Sequence, residues 1–441
     1  MHRLIMFADH YDIVIIGAGP AGLMAGIEGY APSRKILILE KMPRPALKLR
    51  ISGKGRCNIT NNAPLEEFLS HFGKNGRFLK FAFAKFFNTD LLRYFENLGV
   101  SFKLEQGERY FPQNDKALEI VEALLNKVKE LKIPVAVNAE VISITKLPDG
   151  KFSLSINKRN PSEGKDSQPV SIHADNVLLA TGGKSYPRTG STGTGYKLAS
   201  QLGHTVTPVL PALVPLETKG DTAKNLQGLS LKNVRVKLLV NNKKVDERFG
   251  EMVFTDSGVS GPIILSLSGN VVKLLQEKQK VVLLIDLKPA LDHATLDKRL
   301  LREINENSRQ SFKSLLKKLL PRKLMPVFIS QLNIAEKKEL NQITIEERKQ
   351  LRMFLKEFLF EITGCRSFDE AIVTSGGVSI KEINSQTMES KLVKGLYFAG
   401  ELIDIDADTG GFNLQAAFST GWIAGRSLCR TQNPGCVVIQ K

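Results

Sequence analysis

Two hydrophobic rhythms alternate along the chain. DIVIIG (12–17) is a short unbroken apolar run that stops on glycine; AGLMAGIEGY (21–30) is rich in helix formers, and ILILE (36–40) is a second apolar run. Runs too short for helices, flanking a helix and bounded by glycine, predict a strand–helix–strand unit whose parallel strands are buried on both faces. Between 62 and 130 the rhythm changes. FLKFAFAKFF, DLLRYFENLG and ALEIVEALLNKVKELK repeat apolar residues at three and four positions, so this region is predicted to be largely helical. VAVNAEVISI and KFSLSIN then predict strands, NKRNPSEGKDSQPV (157–170) a polar hairpin loop, and VLLATGG (177–183) a buried strand running into glycines. Beyond 200 the segments VRVKLLV and KVVLLIDL read as short strands, followed by a basic helical stretch from about 291 to 360. Residues 201–365 read as an insertion. GLYFAG (395–400) returns to a strand and GGFNLQAAFSTGWIAGRSL to a helix, so the fold class is α/β.

At 441 residues the chain has room for two or three domains, and 42% hydrophobic with 24% charged residues is a globular composition that excludes disorder. Its longest apolar stretches, such as VVLLIDL (281–287), fall short of the roughly 18 residues that span a bilayer. MHRLIMFADH runs into further apolar sequence with no small-residue cleavage site, so a cytoplasmic location is expected. Cys57, Cys365, Cys429 and Cys436 form no C-x-x-C pair and the six histidines no H-x-x-x-H, so neither a disulfide framework nor a metal site is predicted. A net charge of +17 makes a polyanionic partner plausible, with solubility as the bland reading.

Gly17, Gly19 and Gly22 form G-x-G-x-x-G, with Pro20 and Ala21 between them, at a predicted strand–helix junction; Glu40 ends the next strand. That context marks a dinucleotide site. The glycines allow a tight turn, close approach of a pyrophosphate and helix–strand packing, while the acid accepts from a ribose. NAD and FAD both use it. Two distant segments argue for a flavin: VLLATGG, carrying Ala180, Thr181, Gly182 and Gly183, and GLYFAGELIDIDADTGGFNLQ near the end. In the second, Glu401, directly after Gly400, would face the ribityl or pyrophosphate in such proteins. The helix opening at Gly410, Gly411, Phe412 and Asn413 would aim its N–H groups at the flavin edge where negative charge collects on reduction; a plain helix start is the alternative. LKLRISGKGRCNITNN (47–62) presents Ser52, Gly53, Gly55 and the Arg56 guanidinium to an anion, or is a solvated basic loop.

SGKGRCNITN, LLATGGKSYPRTGSTGTGY, PALVPL, MVFTDSGVSGPIILSLS, VTSGGVSIKEINSQTMESK and GLYFAGELIDIDADTGGFNLQ together resemble bacterial NAD(P)/FAD-dependent oxidoreductases of the aminoacetone oxidase-like, BaiN/RdsA type, over about residues 11–428. The resemblance implies a discontinuous Rossmann-type FAD domain (1–200 plus 366–441). It also implies an inserted β-barrel-like domain (201–290 plus 340–365) and a basic helical subdomain (291–339). It adds Lys41, Lys48, Cys57, the Val141 backbone, Leu414 and Gln415 to the FAD contacts. Two departures stand out: Lys54 where the family usually has glycine, and Ala407 where Gly commonly follows Asp406. If position 54 takes a positive φ, lysine there costs about 1 kcal/mol or more.

No second complete G-x-G-x-x-G exists; TGSTGTGY (189–196) could open a helix but lacks a following strand with an acid. NAD(P)H, if used, would therefore dock transiently as reductant. Members of the resembled family act on small amines, unsaturated bile-acid-like ketones, or uridine in ribosomal RNA. Arg309, Lys313, Lys317, Lys318, Arg322 and Lys323 lie in a stretch without acids, and with Lys74, Arg77, Lys80 and Lys85 could track phosphates or simply be solvated. The preferred expectation is reduction of rRNA uridine to dihydrouridine, with hydride from reduced FAD to C6 and a protein acid protonating C5. Cys57 is one such acid or a packing residue beside the flavin; Tyr186 and Lys184 are weaker choices. A small-molecule oxidase or ene-reductase is the alternative, and a non-catalytic flavin-bearing RNA-binding factor a third.

Overall fold

A computed structural model of the chain describes residues 7–158 and 168–430, so most of the polar loop expected at 157–170 lies outside the described residues. The chain divides into two compact units, Met1–Pro211 with Ala371–Lys441, and Ala212–Glu370. The division falls at 211/212 and 370/371 rather than at 200/201 and 365/366 for a local reason. Thr205 and Thr207 donate backbone N–H groups to Glu382 (2.9 Å) and to the Gly377 carbonyl (2.8 Å) of the first unit. At the other end, Arg366 N–H donates to the Pro215 carbonyl (3.0 Å) of the second.

The first unit is built on a sheet ordered Val135–Ala136, Ile36–Leu39, His10–Ile16, Val170–Leu179, Phe152–Lys158, Ala139–Lys146. His10–Ile16 runs parallel to both neighbours, with Ile16 opposite Leu39 and Leu179. Ile13, Val14 and Ile15 are wholly enclosed, as strands covered on both faces must be. Val170–Leu179 is long enough to be shared: its first half pairs antiparallel with Phe152–Lys158, its last three residues parallel with Leu396–Phe398. Helix Pro20–Glu28 crosses Phe412–Arg430 at small residues, where a Cβ on Gly421 would sit 2.4 Å from the Ala21 carbonyl oxygen. Within the region expected to be largely helical, Phe102–Glu105 and Arg109–Pro112 form a strand pair instead. Gly107 (φ 78°) and Glu108 (φ 57°) turn the chain between them, and Pro112 cannot continue a helix interior. The expected helix-opening role of TGSTGTGY is observed at Thr194–Gln201.

His204 is a buried polar point of this unit. Its side chain has no exposed surface, Nε2 lies 2.8 Å from Ser390 Oγ, and Nδ1 lies 3.2 Å from a Glu382 carboxylate oxygen. Burial lowers its pKa, and Glu382 opposes this without cancelling it. A histidine whose folded pKa lies below its unfolded one adds full stability only above the unfolded value, near 6.5, and loses it as pH falls. The melting temperature is therefore expected to drop from about pH 7 to about pH 5, and less steeply in His204→Gln, as read by calorimetry.

In the second unit, strands Leu216–Thr218, Gly258–Ser260, Lys243–Phe254, Ser230–Val240, Val281–Asp286 and Phe358–Cys365 close into a barrel in that order. Helices His293–Glu306, Phe312–Leu319, Leu324–Leu332 and Ile345–Lys356 fill the basic stretch. The helical run ends at Lys356, not near 360, because Phe358 and Phe360 turn inward as barrel strand. Cys57 and Cys365 are free thiols, and Cys436 lies outside the described residues. No helix among the described residues is long and apolar enough to cross a membrane.

Candidate functional site

The first glycine turn has the geometry that its spacing demands. Gly17 has φ 106°, and a Cβ there would lie 2.4 Å from the Ala180 carbonyl oxygen; one on Gly22 would lie 1.9 Å from the Gly17 oxygen. Gly19 differs: a Cβ would meet nothing within 4 Å. Gly19 caps helix Pro20–Glu28, and no side chain caps that terminus. The turn is thus closed where it packs and open at Gly19, leaving backbone N–H groups for an anion. Glu40 directly follows the second strand with both oxygens engaged, by Ala18 N–H (3.0 Å) and Met42 N–H (2.9 Å). Burial pushes its pKa up, against those donors. Val141 is buried at a register shift in Ala139–Lys146.

Two distant stretches converge beside this turn. Ala46 N–H donates to the Ala18 carbonyl (2.9 Å), carrying in the basic loop. Gly411 (φ 99°) lies so close to Thr60 that a Cβ would come 2.5 Å from its backbone, and Asn61 Nδ2 donates to the Gly410 carbonyl (3.1 Å). Gly400 (φ 73°) backs onto Ala21, its N–H donating to Thr420 Oγ1 (3.0 Å). Asn413 and Gln415 have occupied side chains. Asn413 bonds Ala407 through both N–H and carbonyl; Gln415 accepts from Thr60 Oγ1 (2.6 Å) and donates to Ser419 Oγ (2.9 Å). The Phe412 ring packs on Phe68, and Leu414 is half-buried, so this segment's backbone remains its available donor set. Ala407 does not have a positive φ, so its departure from the family pattern carries no backbone strain.

Lys48 and Glu401, nominated separately, belong to one cluster. Lys48 Nζ donates to Glu401 (2.7 Å) and to Ser185 Oγ (2.6 Å); Glu401 also accepts from Ser185 Oγ (3.0 Å) and Thr374 N–H (2.9 Å). Thr374 Oγ1 in turn accepts from the N–H groups of Lys184 and Ser185, directly after Thr181, Gly182 and Gly183. Lys41 Nζ reaches Thr192 in the second glycine-rich segment. Sequence reasoning misses Ser185 and Thr374, although both lie in motifs that carry the family resemblance. Two buried polar atoms here have no protein partner: Asn58 Oδ1 in the basic loop and the Tyr196 hydroxyl. Burial, then Glu401, Asp404 and Asp406, hold the Tyr196 phenol protonated. An open helix terminus, glycine-lined backbone and orphaned polar atoms fit a bound dinucleotide.

In the basic loop two of the expected contact side chains are already engaged or enclosed by protein. Arg56 donates to Asp115 and Glu105 and lies 4.2 Å over the Phe111 ring, so its guanidinium is already paired. Cys57 has no exposed surface and φ 61°, and burial pushes its thiol up to about 12. Ser52 Oγ donates to the Leu49 carbonyl (2.7 Å), while Gly53 (φ 57°) and Gly55 (φ 85°) carry the turn. Between them exposed Lys54 takes φ 59°, the left-handed region where a side chain is strained. Lys54→Gly is expected to raise stability by up to about 1 kcal/mol, read as a higher urea midpoint with unchanged slope.

On the helical stretch, Lys313 pairs with Glu336 (3.0 Å) and Lys318 with Glu303 (3.1 Å), while Lys323 donates to the Gln227 carbonyl (2.8 Å). Arg309, Lys317 and Arg322 are exposed.

The HI0933-like protein Rossmann domain family matches residues 11–427. The 3-dehydro-bile acid delta(4,6)-reductase of Clostridium scindens is 29% identical over 94% of this chain and 98% of its own. The ribosomal RNA dihydrouridine synthase of Escherichia coli is 30% identical over 95% and 98%, and that of Haemophilus influenzae 30% over 96% and 100%. Among solved structures, a flavocytochrome c3 fumarate reductase in its open conformation superposes with TM-score 0.52 at 17% identity, over 96% of this chain and 78% of that one. The 3-ketosteroid-delta4-(5alpha)-dehydrogenase of Rhodococcus jostii gives 0.51 at 15%, over 97% and 98%. The fold is therefore the one the glycine turn and its two returning segments anticipated: the chain belongs to the HI0933-like Rossmann-domain family, as an oxidoreductase of the flavoprotein class.

Proposed function

We propose that the chain binds FAD at the convergence of residues 17–22, 46–62, 180–185 and 400–415. There, reduced by NAD(P)H, it saturates the C5–C6 bond of a uridine in ribosomal RNA. The convergence of Gly410–Gly411 on Thr60 beside the open turn at Gly19 carries this reading. The Gly19 helix terminus would take the pyrophosphate and Glu40 a ribose, while the backbone of Gly411–Gln415 would lie along the flavin edge. When bound and reduced, FAD supplies the hydride; the chain positions a carbon–carbon double bond and delivers a proton. Support for RNA comes from two relatives of that name at 30% identity and from the net charge of +17. A second reading, reduction of an enone in a small apolar molecule, is favoured by the bile-acid reductase at 29%.

The test is ribosomal RNA from a deletion strain, digested to nucleosides and weighed by mass spectrometry. Loss of a dihydrouridine that a plasmid copy restores is the expected result. An unchanged profile rejects the RNA reading. In the purified protein, NAD(P)H is expected to bleach the flavin band; failure to do so favours a non-catalytic flavin carrier.

A further inference from the structure

The reaction proposed above needs a proton donor, and Cys57 is enclosed. A different group stands where the C-terminal return meets the helices. Helix Leu65–Ser70 ends at His71, and the His71 Nδ1 lies 3.0 Å from an Asp408 carboxylate oxygen. Asp408 is two residues before Gly410. The imidazole stacks on Phe412, centroids 3.9 Å apart and planes at 20°, so one face is fixed by the first residue of the last helix. Its neighbours hold the same segment: Asn75 Nδ2 donates to the Asp404 carbonyl (2.7 Å), and Asp408 N–H to the His71 carbonyl (3.4 Å). The His71 side chain keeps 28% of its surface, and among the described residues Nε2 has no hydrogen-bond partner. A carboxylate that fixes one ring nitrogen and leaves the other open is how an imidazole is set to exchange a proton with a bound molecule.

We infer that His71, oriented by Asp408, is the general acid of the reductive step, an inference that rests on the proposed function and extends it. The double bond gains a hydride at one carbon, the chemistry the reduced flavin supplies, and a proton from His71 Nε2 at the other. The substrate gains two hydrogens, the flavin is oxidised, and the neutral imidazole is reprotonated from solvent. Asp408 is the positioning residue, since its carboxylate acts only through the ring.

The decisive variant is His71→Asn, whose amide can still donate from the Nδ1 position to Asp408 but has nothing at Nε2. Stopped-flow traces would separate flavin bleaching by NAD(P)H from re-oxidation by two probes, ribosomal RNA from the deletion strain and a steroid dienone. Melting temperature and FAD affinity, the latter from quenching of flavin fluorescence, would be measured on protein stripped of cofactor. Bleaching, melting and affinity are expected to match wild type while re-oxidation slows by about a hundredfold or more. Re-oxidation within about threefold of wild type overturns the role of His71. So does a fall in melting temperature or FAD affinity that accounts for the loss. If wild type is re-oxidised by neither probe, the proposed function fails by itself. His71 is then judged by its imidazole NMR titration: a curve unmoved by FAD binding and reduction overturns its placement beside the cofactor, and a shifted curve upholds it.

Discussion

Gly17→Val is expected to give a protein that is both colourless and poorly folded, whereas Gly19→Val is expected to be colourless but as stable as wild type. The two glycines share one motif yet meet different surroundings. At 17 a side chain would face the Ala180 carbonyl at 2.4 Å with φ 106°, and no rotamer change moves a backbone oxygen. The strained φ alone costs about 1–3 kcal/mol, and separating the central strands adds to it. At 19 a Cβ meets nothing within 4 Å of protein, so the folded chain has room for it. What it would fill is the space over the first helix terminus, where the proposed FAD site would place a pyrophosphate against backbone. Urea denaturation of cofactor-free protein and the flavin absorbance after reconstitution separate the two effects. A Gly19→Val protein that binds FAD as tightly as wild type would remove this turn from the cofactor site.

Lys356→Met is expected to be the most damaging substitution in the barrel unit. Lys356 pairs with Asp286, with 9% and 5% of their side-chain surfaces exposed, and also donates to the Leu291 carbonyl (2.6 Å) and the Lys288 carbonyl (3.1 Å). Removing the ammonium leaves a buried carboxylate with the Lys288 N–H (2.9 Å) as its remaining donor. Breaking one partner of a buried pair costs about 3–5 kcal/mol. The double variant Lys356→Met with Asp286→Leu should recover much of that loss, because the penalty belongs to the uncompensated charge and not to the missing pair. Urea midpoints of the three proteins check it; a single variant within about 1 kcal/mol of wild type would show that Asp286 finds another partner or water.

The opening strand–helix–strand was legible because both its signals are local: apolar runs bounded by glycine, then a helix N-terminus with Pro20. The pair Phe102–Glu105 and Arg109–Pro112 was missed because KLEQGERY carries too few apolar residues to show an alternating rhythm between two clear helices. The long hairpin Ser230–Val240 with Lys243–Phe254 was seen only as VRVKLLV, since charged residues fill its outer positions. A signal was present in Asn241 (φ 50°) and Asn242 (φ 65°), the residue type that tolerates a tight left-handed turn.

At the site, the motifs indicate segments, while the partners of individual side chains come only from the fold. Arg56 was assigned to a cofactor phosphate, yet Glu105 and Asp115 take it. Glu105 lies in the strand pair that the helical reading overlooks, and Asp115 just beyond it. Lys48 and Glu401 were each expected to face the cofactor; they face each other across 353 residues of chain. His71 lies in no motif.

Spacing and type of residue were enough to establish a dinucleotide turn, a C-terminal return and an inserted unit, because each depends on backbone rules acting within a few neighbouring positions. Which charges meet, which thiol is shut away and which imidazole is held open were decided only by the fold. Those outcomes depend on distances between segments hundreds of residues apart, and such distances leave no trace in local order.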